Sequence, residues 1–378
     1  MHDTCNVVFS GVGAFLVLLP LPLHWRARNS GTLLLITWLF LGNLLGFVDD
    51  IVWWDNVNNP APVWCDIVSK ILVGLPVGIS ASSLCITRRL VMIASSTKVT
   101  ITQRQKKIAF VVDMLLGIGL PFIVMALHYI VQAHRFDIME GYGCQPVTWP
   151  GVPGVLAVQI WAPLLSVIAS VYGVIALKFF ISRRLQFQNV LRSSRSGLDN
   201  RHYIRLMALS SVDLLIGLPL TTFVLVDFSR HPRPYVSWEW LHLGWSRVDH
   251  YAASAFLTTS RQTADAILPR WFSPLLAINF FLFFGVSNDA INEYSRWIQW
   301  VTDRLSFKSR QSNDVLPIIA PNLGSTVVHP SGVEAREPSF TAAASSESPY
   351  PESKWEEDCA QKGIRGVTVS VSVESQTV

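Results

Sequence analysis

The sequence predicts an all-α membrane protein: a seven-transmembrane helix bundle with its N-terminus outside the cell and a disordered cytoplasmic tail. Three observations lead there. Seven apolar stretches are each about long enough to cross a bilayer, which takes on the order of 20 residues in a helix that satisfies its own backbone amides. Half the residues are hydrophobic and only 15% are charged, with a mean hydropathy of +0.37, whereas a soluble domain carries about 25% charged residues. The polar connections alternate between strongly basic and acidic or mixed.

The expected spans cover residues 7–23, 32–54, 65–92, 108–131, 155–181, 204–228 and 269–287. No Lys or Arg precedes the first, and Arg26 and Arg28 follow it, so it reads as an uncleaved span rather than a secretory signal. The second closes on Asp49, Asp50, Trp53 and Trp54. The third opens at Cys65 with Lys70 little more than a turn below, and ends at Arg88 and Arg89. The fourth and sixth carry Asp113 and Asp213 at similar depths, in surroundings that echo one another: Val112-Asp113-Met114-Leu115-Leu116-Gly117 and Val212-Asp213-Leu214-Leu215-Ile216-Gly217. Pro76, Pro121, Pro163 and Pro219, in spans three to six, are each expected to favour a kink, because proline removes a backbone hydrogen bond. The seventh span contains no Lys, which excludes a retinal Schiff base there.

Charge sets the orientation. Arg88, Arg89, Lys98, Arg104, Lys106 and Lys107 follow span three with no acid among them, and Lys178, Arg183, Arg184, Arg192, Arg195, Arg201 and Arg205 surround the fifth-to-sixth connection against a lone Asp199. After span two come Asp55 and Asp66, with no Lys or Arg until Lys70. Cytoplasmic loops collect Lys and Arg, so the N-terminus is placed outside and the C-terminus inside. The cations are a topology signal, which removes the case for a nucleic-acid partner.

The domain organisation follows: residues 1–288 form the membrane domain, and residues 289–308 an amphipathic helix in the inner interface. There Ile291, Tyr294, Ile298, Val301 and Leu305 recur at helical spacing, flanked by Trp297 and Trp300. A plain extension of span seven is the alternative. Residues 309–378 are rich in Ser, Pro, Glu and Thr and are expected to be disordered, with Ser/Thr phosphorylation sites.

Of five cysteines, Cys65 and Cys144 fall on neighbouring outer segments, where an oxidising face favours a disulfide; Cys5 is outside as well and competes. Cys85 reads as a small core residue. Ionisable groups in spans are candidates for function, with interfacial anchoring as the alternative. By that rule Asp49, Asp50, Trp53, Trp54, Asp66 and Lys70 outline a charged, aromatic-rimmed outer opening. Asp113 or Asp213 is a possible inner lock with an Arg such as Arg88 or Arg205, or a plain salt bridge. His231, His242 and His250 in the last outer loop are expected to be solvated. No phosphate loop, nucleophile elbow or metal-ligand spacing occurs, so no enzyme, cofactor or metal site is expected. A transporter would call for ionisable groups at mid-depth and inverted repeats, and the charges here lie near the two faces.

Several motifs occur together in a telling order. These are His24-Trp25-Arg26-Ala27-Arg28-Asn29, Trp64-Cys65-Asp66-Ile67 with Lys70, Ser83-Leu84-Cys85-Ile86-Thr87-Arg88-Arg89-Leu90, Gly119-Leu120-Pro121, Arg135-Phe136-Asp137-Ile138 leading to Gly143-Cys144, and Trp271-Phe272. Over residues 7–288 the chain resembles the fungal mating-pheromone receptors of the lipopeptide-binding, a-factor-receptor type, most of all the basidiomycete mating-type receptors. Like that class, it lacks an Asp/Glu-Arg-Tyr triplet after span three and an Asn-Pro-x-x-Tyr in span seven. The resemblance implies a G-protein-coupled receptor in the plasma membrane that recognises a farnesylated peptide pheromone. It places the peptide against Asp49, Asp50, Trp53, Trp54, Asp66, Lys70, Arg135, Asp137 and Glu140, with the last outer loop, 229–268, as the alternative site. A cytoplasmic Gα subunit is then expected to meet Arg88, Arg89, Arg183, Arg184, Arg201 and Arg205. A homodimer is left open.

Overall fold

The computed structural model describes residues 4–95, 102–182, 200–256 and 260–306. Among the described residues, six helices are long and apolar enough to cross a membrane: Thr4–Arg26, Ser30–Val52, Pro62–Ser95, Gln103–Val131, Trp161–Ser182 and Ile204–Phe228. The seventh expected span corresponds to Leu268–Phe284, which meets the same length and apolarity only together with Asn288–Arg304, into which it turns by 88°. That last helix leaves Ile291, Trp297, Ile298, Trp300 and Val301 exposed while Ala290 and Glu293 are buried.

Span three, at 34 residues, is the axis of the bundle. On one side Ile79, Ile86 and Leu90 pack with Leu35, Ile36 and Leu39 of span two and Leu276, Ala277, Phe280 and Phe284 of span seven. On the other, Val73, Val77, Ala81 and Leu84 meet Val124 and Val131 of span four and Val158, Ala162, Leu165 and Ala169 of span five. Small residues permit this closeness, as is common between membrane helices. The Trp38 ring lies where a Gly78 side chain would be, and Ser166 Oγ donates to Ser80 Oγ at 3.0 Å. The outward faces carry exposed apolar groups such as Phe15, Leu115, Phe122 and Leu215. On a membrane protein these are the lipid-facing surface.

The prolines act unequally. Spans four and six each contain a π-type turn just before their proline, Leu115–Gly119 ahead of Pro121 and Asp213–Gly217 ahead of Pro219, and the π-type turn Val155–Gln159 leads into span five ahead of Pro163. Proline has no N–H and its ring crowds the carbonyl four residues back, so an extra residue in the turn relieves the clash. In span four that carbonyl belongs to Gly117, and it accepts a hydrogen bond from Trp38 Nε1 of span two at 2.8 Å. At Pro76 span three continues as one unbroken helix with no π-type turn.

One end of the bundle is covered by a three-stranded sheet in the order β2-β1-β3. Strands β1 (Phe136–Met139) and β2 (Gly143–Gln145) form an antiparallel hairpin between spans four and five. Strand β3 (Val248–Tyr251), from the connection between spans six and seven, pairs with β1 in parallel.

Candidate functional site

The hairpin is fixed onto the bundle by a disulfide between Cys65, in the first turn of span three, and Cys144 in β2, with Cα atoms 5.1 Å apart. Both cysteines are fully buried, together with Leu45, Trp53, Val68, Phe136 and Ile138. Asp49 adds a second fastening, accepting from Trp64 Nε1 at 2.8 Å and from the Cys144 amide at 3.2 Å. Gly143 between them has φ +69°, and a Cβ there would come within 2.5 Å of Asp49. The position therefore needs glycine on both conformational and steric grounds. Trp53 is fully buried; its Nε1 donates to Asn58 O and its carbonyl accepts the Gly141 amide, each at 2.7 Å. Asp49 and Trp53 are thus built into the cap, and Trp54 stands half-buried beside them.

Asp50 is engaged from span seven. Arg270 donates to its carboxylate and also to Asn6 Oδ1 of span one at 3.0 Å, while its guanidinium lies 4.3 Å from the Tyr142 ring centroid. One arginine therefore joins spans one, two and seven to the hairpin. Arg270 is not among the residues that the sequence singles out. The available signal was an arginine at the start of an apolar run, directly after Pro269.

Asp66 and Arg135 form a two-pronged ion pair at 2.8 and 2.6 Å. The bonds to the carboxylate hold the Arg135 guanidinium above its ordinary pKa. Lys70 donates to His128 Nδ1 at 3.0 Å and to Gln132 Oε1. An ammonium gives only protons, so Nδ1 is the accepting nitrogen of His128. Its Nε2–H points to Val147 O at 3.2 Å and Thr148 Oγ1 at 3.1 Å, and Gln132 Nε2 donates to Arg135 O at 2.6 Å. Glu140 accepts the Ala253 amide at 2.9 Å, and Asp137 meets His134 Nε2 at 2.6 Å. All nine residues assigned to ligand contact lie at this end, and each charged one holds another part of the chain. Burial and the charges of Asp137 and Asp249 raise the Tyr251 phenol above its usual pKa.

The last connection packs over the same end through aromatic rings. Trp238 stacks on His242 with centroids 3.9 Å apart, and Tyr129 meets Trp245 edge-on at 4.9 Å. Trp240 lies edge-on to Trp149, which also receives the Arg233 guanidinium. Of the three histidines expected to be solvated, His231 and His250 are exposed and His242 is half-buried. His242 is within bonding distance of Trp238 O at 2.8 Å and Tyr129 O at 3.0 Å, and His250 bonds Val57 O at 2.5 Å.

At the opposite end, among the described residues, the charged ties centre on Arg88, Arg89 and Arg26. Arg88 bonds Asp113 at 2.6 Å and Ala109 O at 3.2 Å, and the other Asp113 oxygen accepts from Ser30 Oγ. This joins spans two, three and four through a carboxylate with 5% side-chain exposure. Arg88 is the partner Asp113 takes; Arg205 Nη1 finds no acceptor among the described residues. Arg89 donates to Arg28 O at 3.0 Å and Asn29 Oδ1 at 3.4 Å, where Arg28 has the unusual φ of 49°. Arg26 reaches Glu293 of the last helix at 2.6 Å. Arg183, Arg184 and the 309–378 tail lie outside the described residues, as do the side chains of Arg201 and Asp213.

Seven spans, a disulfide-anchored cap and a basic end define a multi-pass membrane protein of receptor architecture. The family model for the pheromone A receptor (STE3) matches residues 5–305, and the chain belongs to that family, which is one of receptors and not of enzymes. Among its relatives, the pheromone B alpha 3 receptor of Schizophyllum commune is 38% identical over 304 residues, covering 80% of this chain and 48% of the relative. Pheromone receptor 1 of Ustilago hordei is 34% identical over 296 residues, or 78% of this chain and 82% of the relative. The pheromone a factor receptor of Saccharomyces cerevisiae is 26% identical over 290 residues, 75% of this chain and 59% of the relative. The chain spans about half the length of the Schizophyllum receptors that it matches.

Proposed function

We propose that the chain is a plasma-membrane receptor for a farnesylated peptide pheromone, oriented with the Cys65 end outside, and that it passes binding to a cytoplasmic Gα subunit at the Arg88 end. The observation that carries this reading is the difference between the ends of one continuous helix. Cys65, at the top of span three, is fixed covalently under the cap, and Arg88, about six turns below, is held to Asp113 by an ion pair that can open.

The peptide part has Trp54, Asp66, Lys70 and Arg135 within reach at the cap margin, and the farnesyl chain enters between helices or the adjoining bilayer. Asp49 and Trp53 shape this margin from beneath. Asp137 and Glu140 do so through the sheet. Displacing the cap perturbs Arg270 through Tyr142, and with it the junction of spans one, two and seven at Asp50. Release of Arg88 from Asp113 at the other end then frees a cationic surface for Gα, which Arg89, Arg183, Arg184, Arg201 and Arg205 extend. Asp213 is the second carboxylate available to such a lock.

Expression in a pheromone-blind mating strain, challenged with a panel of farnesylated peptides, tests the ligand class: a response to one or a few peptides is expected, and silence to all at normal surface display rejects it. Neutralising Arg88 and Arg89 together is expected to leave peptide binding and display intact while abolishing nucleotide exchange on Gα. Misoriented or retained protein would instead assign these arginines to topology or to anionic lipid.

A further inference from the structure

The parallel register of β1 and β3 sets Asp137 directly beside Asp249. Two carboxylates opposite one another across a ladder repel, so this register is stabilised by cationic groups beside them. His134, 5% exposed, aims its Nε2 at both, 2.6 Å from Asp137 Oδ1 and 3.6 Å from Asp249 Oδ2. Arg247 approaches from the outer side, with Nε 3.0 Å from Asp249 Oδ1 and Nη2 3.2 Å from His134 Nδ1. Its side chain is 62% exposed. Three ligand atoms, His134 Nε2 and one oxygen each from Asp137 and Asp249, thus lie within 4.8 Å of one another and converge.

We propose that His134, Asp137 and Asp249 form a Zn²⁺ site that joins the connection between spans four and five to the connection between spans six and seven. Tetrahedral bonds of about 2.0–2.1 Å set ligand atoms about 3.3 Å apart, so separations that now run from 2.6 Å to within 4.8 Å must change by no more than about 1.5 Å. One imidazole nitrogen and two carboxylates suit zinc with water in the fourth position, whereas Ca²⁺ takes six to eight oxygens. The pattern is invisible in the sequence because the third ligand comes from a connection more than a hundred residues away. Metal on Nε2 requires the proton on Nδ1, which then faces the Arg247 donor. Arg247 is therefore a competitor that must swing into solvent for the metal to bind.

The test is Zn²⁺ titration of the purified full chain in lipid nanodiscs, by chelator competition and by the shift in thermal unfolding, with no pheromone present. One equivalent at micromolar affinity is expected, weakened at least about tenfold in His134→Ala and in the more exposed Asp249→Asn, which keeps the test available if the buried histidine variant does not fold. Arg247→Ala is expected to tighten binding, and Ca²⁺ to give no shift. Zinc affinity unchanged by Asp249→Asn, or lowered by Arg247→Ala, overturns the site, as does the absence of binding to the native chain.

Discussion

The Cys65 end and the Arg88 end are built by different means. At the first, a covalent bond, a three-stranded sheet, the Asp49 fastening and several ion pairs converge on the same few residues. At the second, among the described residues, spans two to four meet mainly through one aspartate that serves one arginine and one serine, with Arg89 adding weaker bonds to Arg28 and Asn29. Many ties that share a few residues make an end hard to move, and fewer, separate ties make it more readily released. Recognition needs a fixed shape and signalling needs a change of shape, so the contrast supports assigning the two tasks to the two ends.

The largest effect is expected from removing the covalent tie. Cys65→Ser or Cys144→Ser takes away a bond of a type worth ~2–5 kcal/mol, and surface display is expected to fall severely, as measured by labelling of intact cells. Display near the native level would show that Asp49 and the sheet suffice to hold the cap. Next is Asp50→Asn, which leaves the partly buried Arg270 without the Asp50 carboxylate, at a cost of up to ~3–5 kcal/mol. The double variant Asp50→Asn with Arg270→Gln is expected to recover part of the loss in thermal unfolding, and a double variant no better than the single one would dissolve the pair. At the other end Asp113→Asn removes a charge-assisted bond worth ~1.5–3 kcal/mol. It is expected to raise pheromone-independent signalling, measured as basal nucleotide exchange, by about tenfold or more. Unchanged basal exchange would erase the distinction between the ends. The smallest change is Glu293→Gln, expected to shift unfolding by no more than ~1 kcal/mol, because its partner Arg26 is 62% exposed.

The spans were legible because hydrocarbon imposes length and apolarity residue by residue, and those demands are local. The family resemblance was legible for the same reason, being carried by short motifs at the span ends. Arg270 was not, since its meaning lies in Asp50 and Asn6, which reach it only when spans one, two and seven assemble. The cap sheet was missed because β1 and β2 are four and three residues long and β3 comes from a distant connection, so no alternation of any length announces them. The prolines were located from the sequence, but not that three of them are eased by a π-type turn while Pro76 leaves its helix unbroken.

Pro121 has a consequence for how the bundle can move. The carbonyl it releases at Gly117 is bonded by Trp38, so a turn of span four is completed by a side chain of span two. In hydrocarbon no water replaces a lost partner, and an unmet backbone group costs several kcal/mol. Span two therefore cannot slide or roll past span four by a fraction of a turn. It either travels with its neighbour or jumps to a register where the indole finds another acceptor. A helix pair under that constraint behaves as a ratchet with discrete stops.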